Sequence, residues 1–209
     1  MYKRCIKRIL DIIISTIAIL FLILPMLIVA IIIKIDSPGP ILFKQRRIGL
    51  HKKEFVMLKF RSMPVSAPSN VATHLLDIGT IELTKFQKLI RKYSIDELPQ
   101  FFNIWLGQIS LVGPRPALYN QDDLVAERDK YGANDVKPGL TGWAQINGRD
   151  ELAIPVKARY DGEYVENLSF IFDCKCFFGT FKSVVNHDGV VEGGTADSNK
   201  EEEKEMHTV

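Results

Sequence analysis

Between Asp11 and Lys34 no side chain carries a charge, and residues 12–33 read IIISTIAILFLILPMLIVAIII. A straight α-helix over this stretch would reach about 30 Å, enough to cross a hydrocarbon core. Pro25 lies near its middle. A proline there removes a backbone donor and crowds the carbonyl of Phe21, so the pattern predicts a kink or break. Both flanks are basic, with Lys3, Arg4, Lys7 and Arg8 before the segment and Lys34, Lys44, Arg46, Arg47, Lys52 and Lys53 after it. A spanning helix carries its positive charge mainly on the cytoplasmic side. Basic residues at both ends therefore favour a re-entrant hairpin over a plain span: the segment enters one leaflet, bends at Pro25 and returns to the same face.

Beyond the apolar run the periodicity changes several times. Ser37-Pro-Gly-Pro40 is a turn that cannot continue a helix. Residues 41–45 and 54–61 alternate as two short strands, joined through Arg46-Arg-Ile-Gly-Leu-His51. Residues 63–80, with two prolines and many small polar side chains, read as a long surface loop. In residues 84–93, Phe86, Leu89, Ile90 and Tyr93 share one face, and Lys85, Lys88, Arg91 and Lys92 take the other. That spacing predicts a core-packing helix with a solvated basic face. Leu98, Phe101, Phe102 and Trp105 repeat the spacing in a second helix that stops at Gly107.

Residues 109–113 lead into the rigid loop Pro114-Arg-Pro116, and residues 121–131 form a charged, exposed helix. Lys137-Pro-Gly-Leu-Thr-Gly-Trp143 is rich in turn residues, with Pro138-Gly139 suited to a type II turn. Residues 152–167, from about Pro155, and 170–185 close the pattern as helices. The fold class that follows is α+β, mainly helical, with an N-terminal re-entrant membrane helix hairpin and a small cytosolic domain. Its divisions are residues 1–36 in the membrane, 37–190 in the cytosolic domain and 191–209 as a disordered acidic tail.

The formal charge of +2 is almost balanced, but basic residues crowd the first third. This favours an anionic membrane surface or a phosphorylated substrate. It argues against a nucleic-acid partner, because the positive charge sits beside a lipid-seeking segment. The apolar run is too long for a signal-peptide core, and Lys-Ile-Asp-Ser-Pro follows it in place of a small-residue cleavage site, so it is expected to be retained. Cys5, Cys174 and Cys176 make an odd count that suits a reducing compartment and free thiols.

Candidate chemistry concentrates in Ser94-Ile-Asp-Glu-Leu-Pro-Gln100. Ser94 with Glu97 matches a helix capping box, and Asp96 is an alternative cap that would place Pro99 in the first turn. In either register Asp96 and Glu97 stand together at a helix start, where they serve as caps or as a catalytic pair. Such a pair could bind Mg²⁺, which takes few carboxylates together with waters and substrate phosphates. Two prolines fix the backbone around Arg115, presenting its guanidinium to a phosphate or to a structural carboxylate. Lys59, Arg61 and Arg149 extend the supply of cations.

These segments together resemble the monotopic phosphoglycosyl transferases, a family of bacterial sugar transferases, over nearly the whole chain. The resemblance is carried by Lys7-Arg-Ile-Leu-Asp11, Ser37-Pro-Gly-Pro40, Phe43-Lys-Gln-Arg46, Lys59-Phe-Arg-Ser-Met63 and the Ser94–Gln100 motif. It continues through Val112-Gly-Pro-Arg-Pro116 and Lys137-Pro-Gly-Leu-Thr-Gly-Trp-Ala-Gln-Ile-Asn-Gly-Arg149. The chain is most similar to the short, capsule-type members. Asn70-Val-Ala-Thr73 and Arg115-Pro-Ala-Leu-Tyr-Asn-Gln121 are similar to those acting on N-acetylfucosamine.

The resemblance implies transfer of a phosphosugar from a UDP-sugar to undecaprenyl (polyprenyl) phosphate with release of UMP. That reaction initiates polysaccharide synthesis at the cytoplasmic face of the bacterial inner membrane, requires Mg²⁺ and takes place among membrane lipid. It implies Asp96 as nucleophile, Asp96 and Glu97 as metal ligands with Glu97 also able to manage a proton, and Arg115, Lys59, Arg61 and Arg149 as phosphate binders. One departure stands out: Leu24-Pro25 occupies the place where family members break the helix at Ser-Pro. Two other readings are open at this stage, a membrane-tethered glycosyltransferase releasing UDP and a non-catalytic adaptor for anionic lipid.

Overall fold

The computed structural model describes residues 2–68, 81–148 and 152–186. Much of the loop expected at 63–80, Arg149 and the acidic tail lie outside the described residues. Helix α1 runs from Lys7 to Asp36 without interruption, with Pro25 inside it. The expected break at Pro25 is therefore absent. Losing one donor costs a helix about 3 kcal/mol, whereas unwinding an apolar segment leaves several backbone groups without partners in a medium that offers none. By length and composition α1 could cross a membrane.

One stripe of α1 packs on the rest of the protein. Asp11, Ser15, Met26 and Ile33 are buried, and Leu22, Val29 and Ala30 pack beside them, at the i, i+3/i+4 spacing of a single helix face. The other face exposes Ile13, Ile17, Leu20, Phe21, Leu24, Ile28, Ile31 and Ile35. Both ends are tied to the same domain. Near the start, Arg8 donates to the carbonyls of Ile104 at 2.7 Å and Trp105 at 2.8 Å. Asp11 accepts from Ser110 Oγ at 3.0 Å and the Leu111 amide at 2.9 Å. At the far end Asp36 accepts from Thr84 Oγ1 at 2.7 Å, while Ile33 shares a core with Phe60 and Ile90.

The two alternating segments form an antiparallel ribbon of β1 (Leu42–Ile48) and β2 (Glu54–Phe60), in register from Leu42 opposite Phe60 to Ile48 opposite Glu54. Helix α2 (Lys85–Lys92) starts at a capping box in which Thr84 and Gln87 satisfy each other's backbone amides, and Ile90 is its buried anchor. After α3 (Gln100–Trp105) comes β3 (Ser110–Val112). It pairs in parallel with β4 (Gly139–Thr141), in the stretch expected to be only a turn. The approach is close: a Cβ on Gly139 would fall 2.1 Å from the Gly113 amide nitrogen, and one on Gly142 2.1 Å from the Gly113 carbonyl. Those glycines let two backbones meet where any side chain would hold them apart.

Helices α4 (Asp122–Asp129), α5 (Trp143–Ile146), α6 (Ile154–Asn167) and α7 (Phe170–Asn186) complete the domain. Ile104, Ile109, Leu111, Val112, Tyr164, Leu168 and Cys176 form the core beneath β3. Helix α4 exposes Asp122, Asp123 and Asp129, as its charge pattern suggests, but it also has a buried side. Leu124 and Arg128 are buried, and Arg128 pairs with Asp161 of α6 at 2.6 Å. Burial pushes the Asp161 carboxyl above the ordinary carboxylate range and Arg128 pulls it back.

Arg128→Met should cost about 3–5 kcal/mol of stability near neutral pH, because it strands a buried carboxylate. Without Arg128 the folded-state pKa of Asp161 rises further above its unfolded value. The loss should therefore shrink as pH falls toward about 4 and Asp161 takes up a proton. Denaturant unfolding across pH reads both effects. Pairing the change with Asp161→Leu should recover most of the stability.

Candidate active site

The site begins where α2 ends. Ser94 adopts a left-handed conformation with φ 54°, and its side chain caps nothing. Ile95–Glu97 form one 3₁₀ turn, and Pro99, with φ −61°, occupies the position before α3. Neither capping register read from the sequence is used. The reversal at Ser94 instead swings the two carboxylates inward against β2 and the Pro114–Pro116 loop.

Asp96 is 9% exposed and accepts a hydrogen bond from Ser62 Oγ at 3.2 Å. Glu97 Oε1 accepts from Lys59 Nζ at 2.8 Å and from Arg115 Nη2 at 3.0 Å. Lys59 comes from β2, and Arg115 from the loop after β3, so three distant parts of the chain meet at one carboxylate. The Arg115 side chain is 27% exposed against 14% for Lys59 and Glu97, which leaves its guanidinium able to reach a substrate.

Burial pushes the Asp96 carboxyl above its ordinary range, and Glu97 adds to the rise. Lys59, Arg91 and the Ser62 hydroxyl oppose it. Burial lowers Lys59, against the pull of Glu97 and with the push of Arg115 and Arg47. Loss of water makes a carboxylate a stronger nucleophile, while the neighbouring cations keep it ionised and favour an incoming phosphate.

Arg61 lines the same cavity as Asp96 and Lys59, but its terminal nitrogens turn to the backbone. It is 4% exposed and donates to the carbonyls of Pro38 at 2.7 Å and Ser37 at 2.6 Å, and to Ser37 Oγ at 2.8 Å. Its guanidinium closes the C-terminal end of α1, and the turn there needs Gly39, where a Cβ would lie 2.0 Å from Arg61 Nη1. These bonds give Arg61 a structural role at the wall of the cavity. Arg149 is outside the described residues.

Three residues missed by the sequence reading belong to the site or its frame. Ser62 bonds Asp96 directly. Arg91, placed by helical spacing on a solvated face, lines a cavity of about 500 Å³ together with Asp96. Arg47 donates to the Pro116 carbonyl at 2.9 Å and to Gln45 Oε1 at 2.7 Å, while the Ile48 amide donates to the Ala117 carbonyl at 2.9 Å. The loop carrying Arg115 is thereby pinned to β1. The available signal was the alternation that puts Gln45 and Arg47 on one face of that strand.

Among the described residues no three His, Cys, Asp or Glu side chains gather as a metal cage. Two adjacent carboxylates without a cage suit Mg²⁺, which keeps several waters and completes its shell with substrate phosphate. Asp96 and Glu97 would hold it.

The bacterial sugar transferase family matches residues 2–187. The chain belongs to that family. An uncharacterized sugar transferase of Bacillus subtilis, EpsL, is 43% identical over 76% of this chain and 77% of its own length. The UDP-glucose:undecaprenyl-phosphate glucose-1-phosphate transferase of Escherichia coli is 40% identical over 88% of this chain and 41% of its own. The UDP-N-acetylgalactosamine-undecaprenyl-phosphate N-acetylgalactosaminephosphotransferase of Aeromonas hydrophila is 37% identical over 88% and 44%. This sugar transferase thus spans less than half the length of the latter two relatives. Membership of a family of enzymes sets aside the reading as a lipid-binding adaptor.

Arg61→Ala in this transferase should lower stability by about 1.5–3 kcal/mol, the worth of a charged hydrogen bond. Arg115→Ala should instead cut turnover roughly 10- to 100-fold for a comparable loss in the transition state. Its melting temperature should stay close to that of the parent. Melting curves run beside activity assays separate the two roles.

Proposed function

We propose that this transferase moves a phosphosugar from a UDP-sugar to undecaprenyl phosphate, releasing UMP, by way of a covalent intermediate on Asp96, and so initiates assembly of a surface glycan. The observation that carries the reading is the division of labour within the carboxylate pair. Glu97 is committed to Lys59 and Arg115, while Asp96 opens to a cavity. The Escherichia coli and Aeromonas hydrophila relatives, by their names, transfer glucose-1-phosphate and N-acetylgalactosamine phosphate to undecaprenyl phosphate. Those two sugars differ at similar identity to this chain, so the shared residues speak to the phosphate chemistry rather than to the sugar.

In the first step an Asp96 oxygen bonds to the sugar-bearing phosphorus of the donor, and the bond to the UMP phosphate breaks, its electron pair leaving with UMP. Lys59 and Arg115, held by Glu97, would offset the charge that accumulates on the diphosphate. Mg²⁺, when bound at Asp96 and Glu97, supplies the further positive charge that lets one anion approach another. A covalent intermediate suits two substrates of such different solubility, because neither has to wait for the other in the site.

The membrane arrangement that fits is re-entrant and monotopic. A perpendicular span would carry one end of α1 roughly 30 Å from the other side of the bilayer. It would also pull apart either the Arg8 contacts at one end or the Ile33 core at the other. Return of both ends to one face keeps both. Exposed Phe21, Leu24 and Pro25 then lie deepest, where the helix lacks one bond and bends most easily. Basic residues at both ends support the cytoplasm as that face.

With donor alone, the protein should release UMP in one burst, equal at most to the enzyme present. Asp96→Asn should abolish the burst, and chelation of divalent cations should suppress it. Nucleotide analysis of the burst is decisive, since UDP in place of UMP would indicate transfer of the bare sugar.

A further inference from the structure

At the start of α1, the opposite end from the cavity beside Asp96, two cations meet at one glycine. Gly107 follows α3 with φ 81°, and a Cβ there would lie 3.0 Å from Arg8 Nη2 and 3.4 Å from Lys137 Nζ. Arg8 is held by the carbonyls of Ile104 and Trp105, so its charge cannot swing away. Among the described residues no hydrogen bond or ion pair reaches Lys137 Nζ. Burial lowers the Lys137 pKa and Arg8 lowers it further, while Asp11 opposes both. Asp11 is itself committed to Ser110 and the Leu111 amide. Two half-buried positive charges short of a counter-ion call for an anion.

The surroundings say which anion. Trp105 and Leu106, the residues before Gly107, are exposed, and so are Ile9 and Ile13 of α1. Ile9 and Ile13 stand one turn apart on a single helix face. These apolar side chains are costly to leave in water, and a soluble phosphate or an acidic peptide segment would not cover them. Tryptophan is favoured where hydrocarbon meets headgroups. The helix that begins here is the chain's lipid-seeking segment, uncharged from Ile12 to Ile33. A molecule with an anionic phosphodiester head and acyl chains matches the cations and their apolar rim together.

Building on the membrane reading of α1 above, we propose that Arg8 and Lys137 form a site for the headgroup of an anionic membrane phospholipid, whose acyl chains run beside Trp105 and Leu106 along Ile9 and Ile13. The phosphodiester accepts from Lys137 Nζ and from the further N–H groups of Arg8. It relieves the repulsion between the two cations and sets the start of α1 at headgroup level. Arg8 also bonds the last carbonyls of α3, so the bound lipid bears on the helix that follows Asp96 and Glu97. The site is separate from the substrate cavity. That cavity is lined by Pro40 and Leu42, and the whole length of α1, about 45 Å, stands between them and Arg8.

The test is native mass spectrometry of the full chain ejected from nanodiscs of phosphatidylcholine and phosphatidylglycerol in equal parts. The lipid retained on the protein should be phosphatidylglycerol in roughly fivefold preference or more, the worth of one basic residue near an anionic surface. Lys137→Gln should return the retained lipid to the composition of the disc. Its melting temperature should match or exceed the parent's, since the change removes a half-buried charge that no bond holds. Lys88→Gln, at an exposed lysine of α2, should keep the preference, and glycerol phosphate in solution should not displace the lipid. A preference that survives Lys137→Gln, one lost equally in Lys88→Gln, or displacement by glycerol phosphate would overturn the proposal. Failure of the protein to enter nanodiscs would overturn the membrane reading with it, whereas entry with retention indifferent to Lys137→Gln would count against this site alone. The measurement uses no turnover, so it stands apart from the UMP burst.

Discussion

Glu97 is where the active region is fastened. One carboxylate oxygen takes Lys59 from β2 at 2.8 Å and Arg115 from the loop after β3 at 3.0 Å, so a strand, a turn and a loop are fixed by one group. Burying a carboxylate costs several kcal/mol unless cations meet it, and two cations meet this one. The arrangement is therefore specific in a way an exposed ion pair is not. It also frees the neighbouring residue: with the cations anchored on Glu97, Asp96 needs only a serine hydroxyl to hold it and can face the cavity.

The long apolar helix α1 belongs to the same framework. Arg8 ties its start to the C-terminal carbonyls of α3, and Arg61 ties its end to the strand that carries Lys59. Helix α3 follows directly on the turn bearing Asp96 and Glu97. Movement of α1 relative to the domain would thus be felt on both sides of the site. The site is thereby coupled to the long apolar helix through both of its ends.

Much of this was legible in the sequence, for physical reasons that differ by element. Alternation gave the β1–β2 ribbon and one-sided spacing gave α2, because each buries a single face. The Asp96, Glu97, Lys59 and Arg115 cluster was visible as motifs, although the left-handed turn at Ser94 that assembles it was not, since a serine with φ 54° has no spacing signature. The strand β4 escaped because its three residues are held by glycine contacts rather than by a buried face. Arg128 was read as surface charge because a guanidinium in sequence looks like one, yet here it pairs with the buried Asp161. Arg91 was read as solvated because its helical spacing opposes the apolar face, yet it lines the cavity beside Asp96, and Pro25 was credited with a break that the surrounding apolar helix withstands.

The most direct measurement is mass spectrometry of the intact and digested protein after incubation with UDP-sugar and Mg²⁺ but no acceptor. A sugar-phosphate adduct on the peptide containing Asp96, discharged when undecaprenyl phosphate is added, is the predicted result. Release of UMP on the addition of acceptor without any such adduct, or an adduct that persists in Asp96→Asn, would contradict the central role given to Asp96.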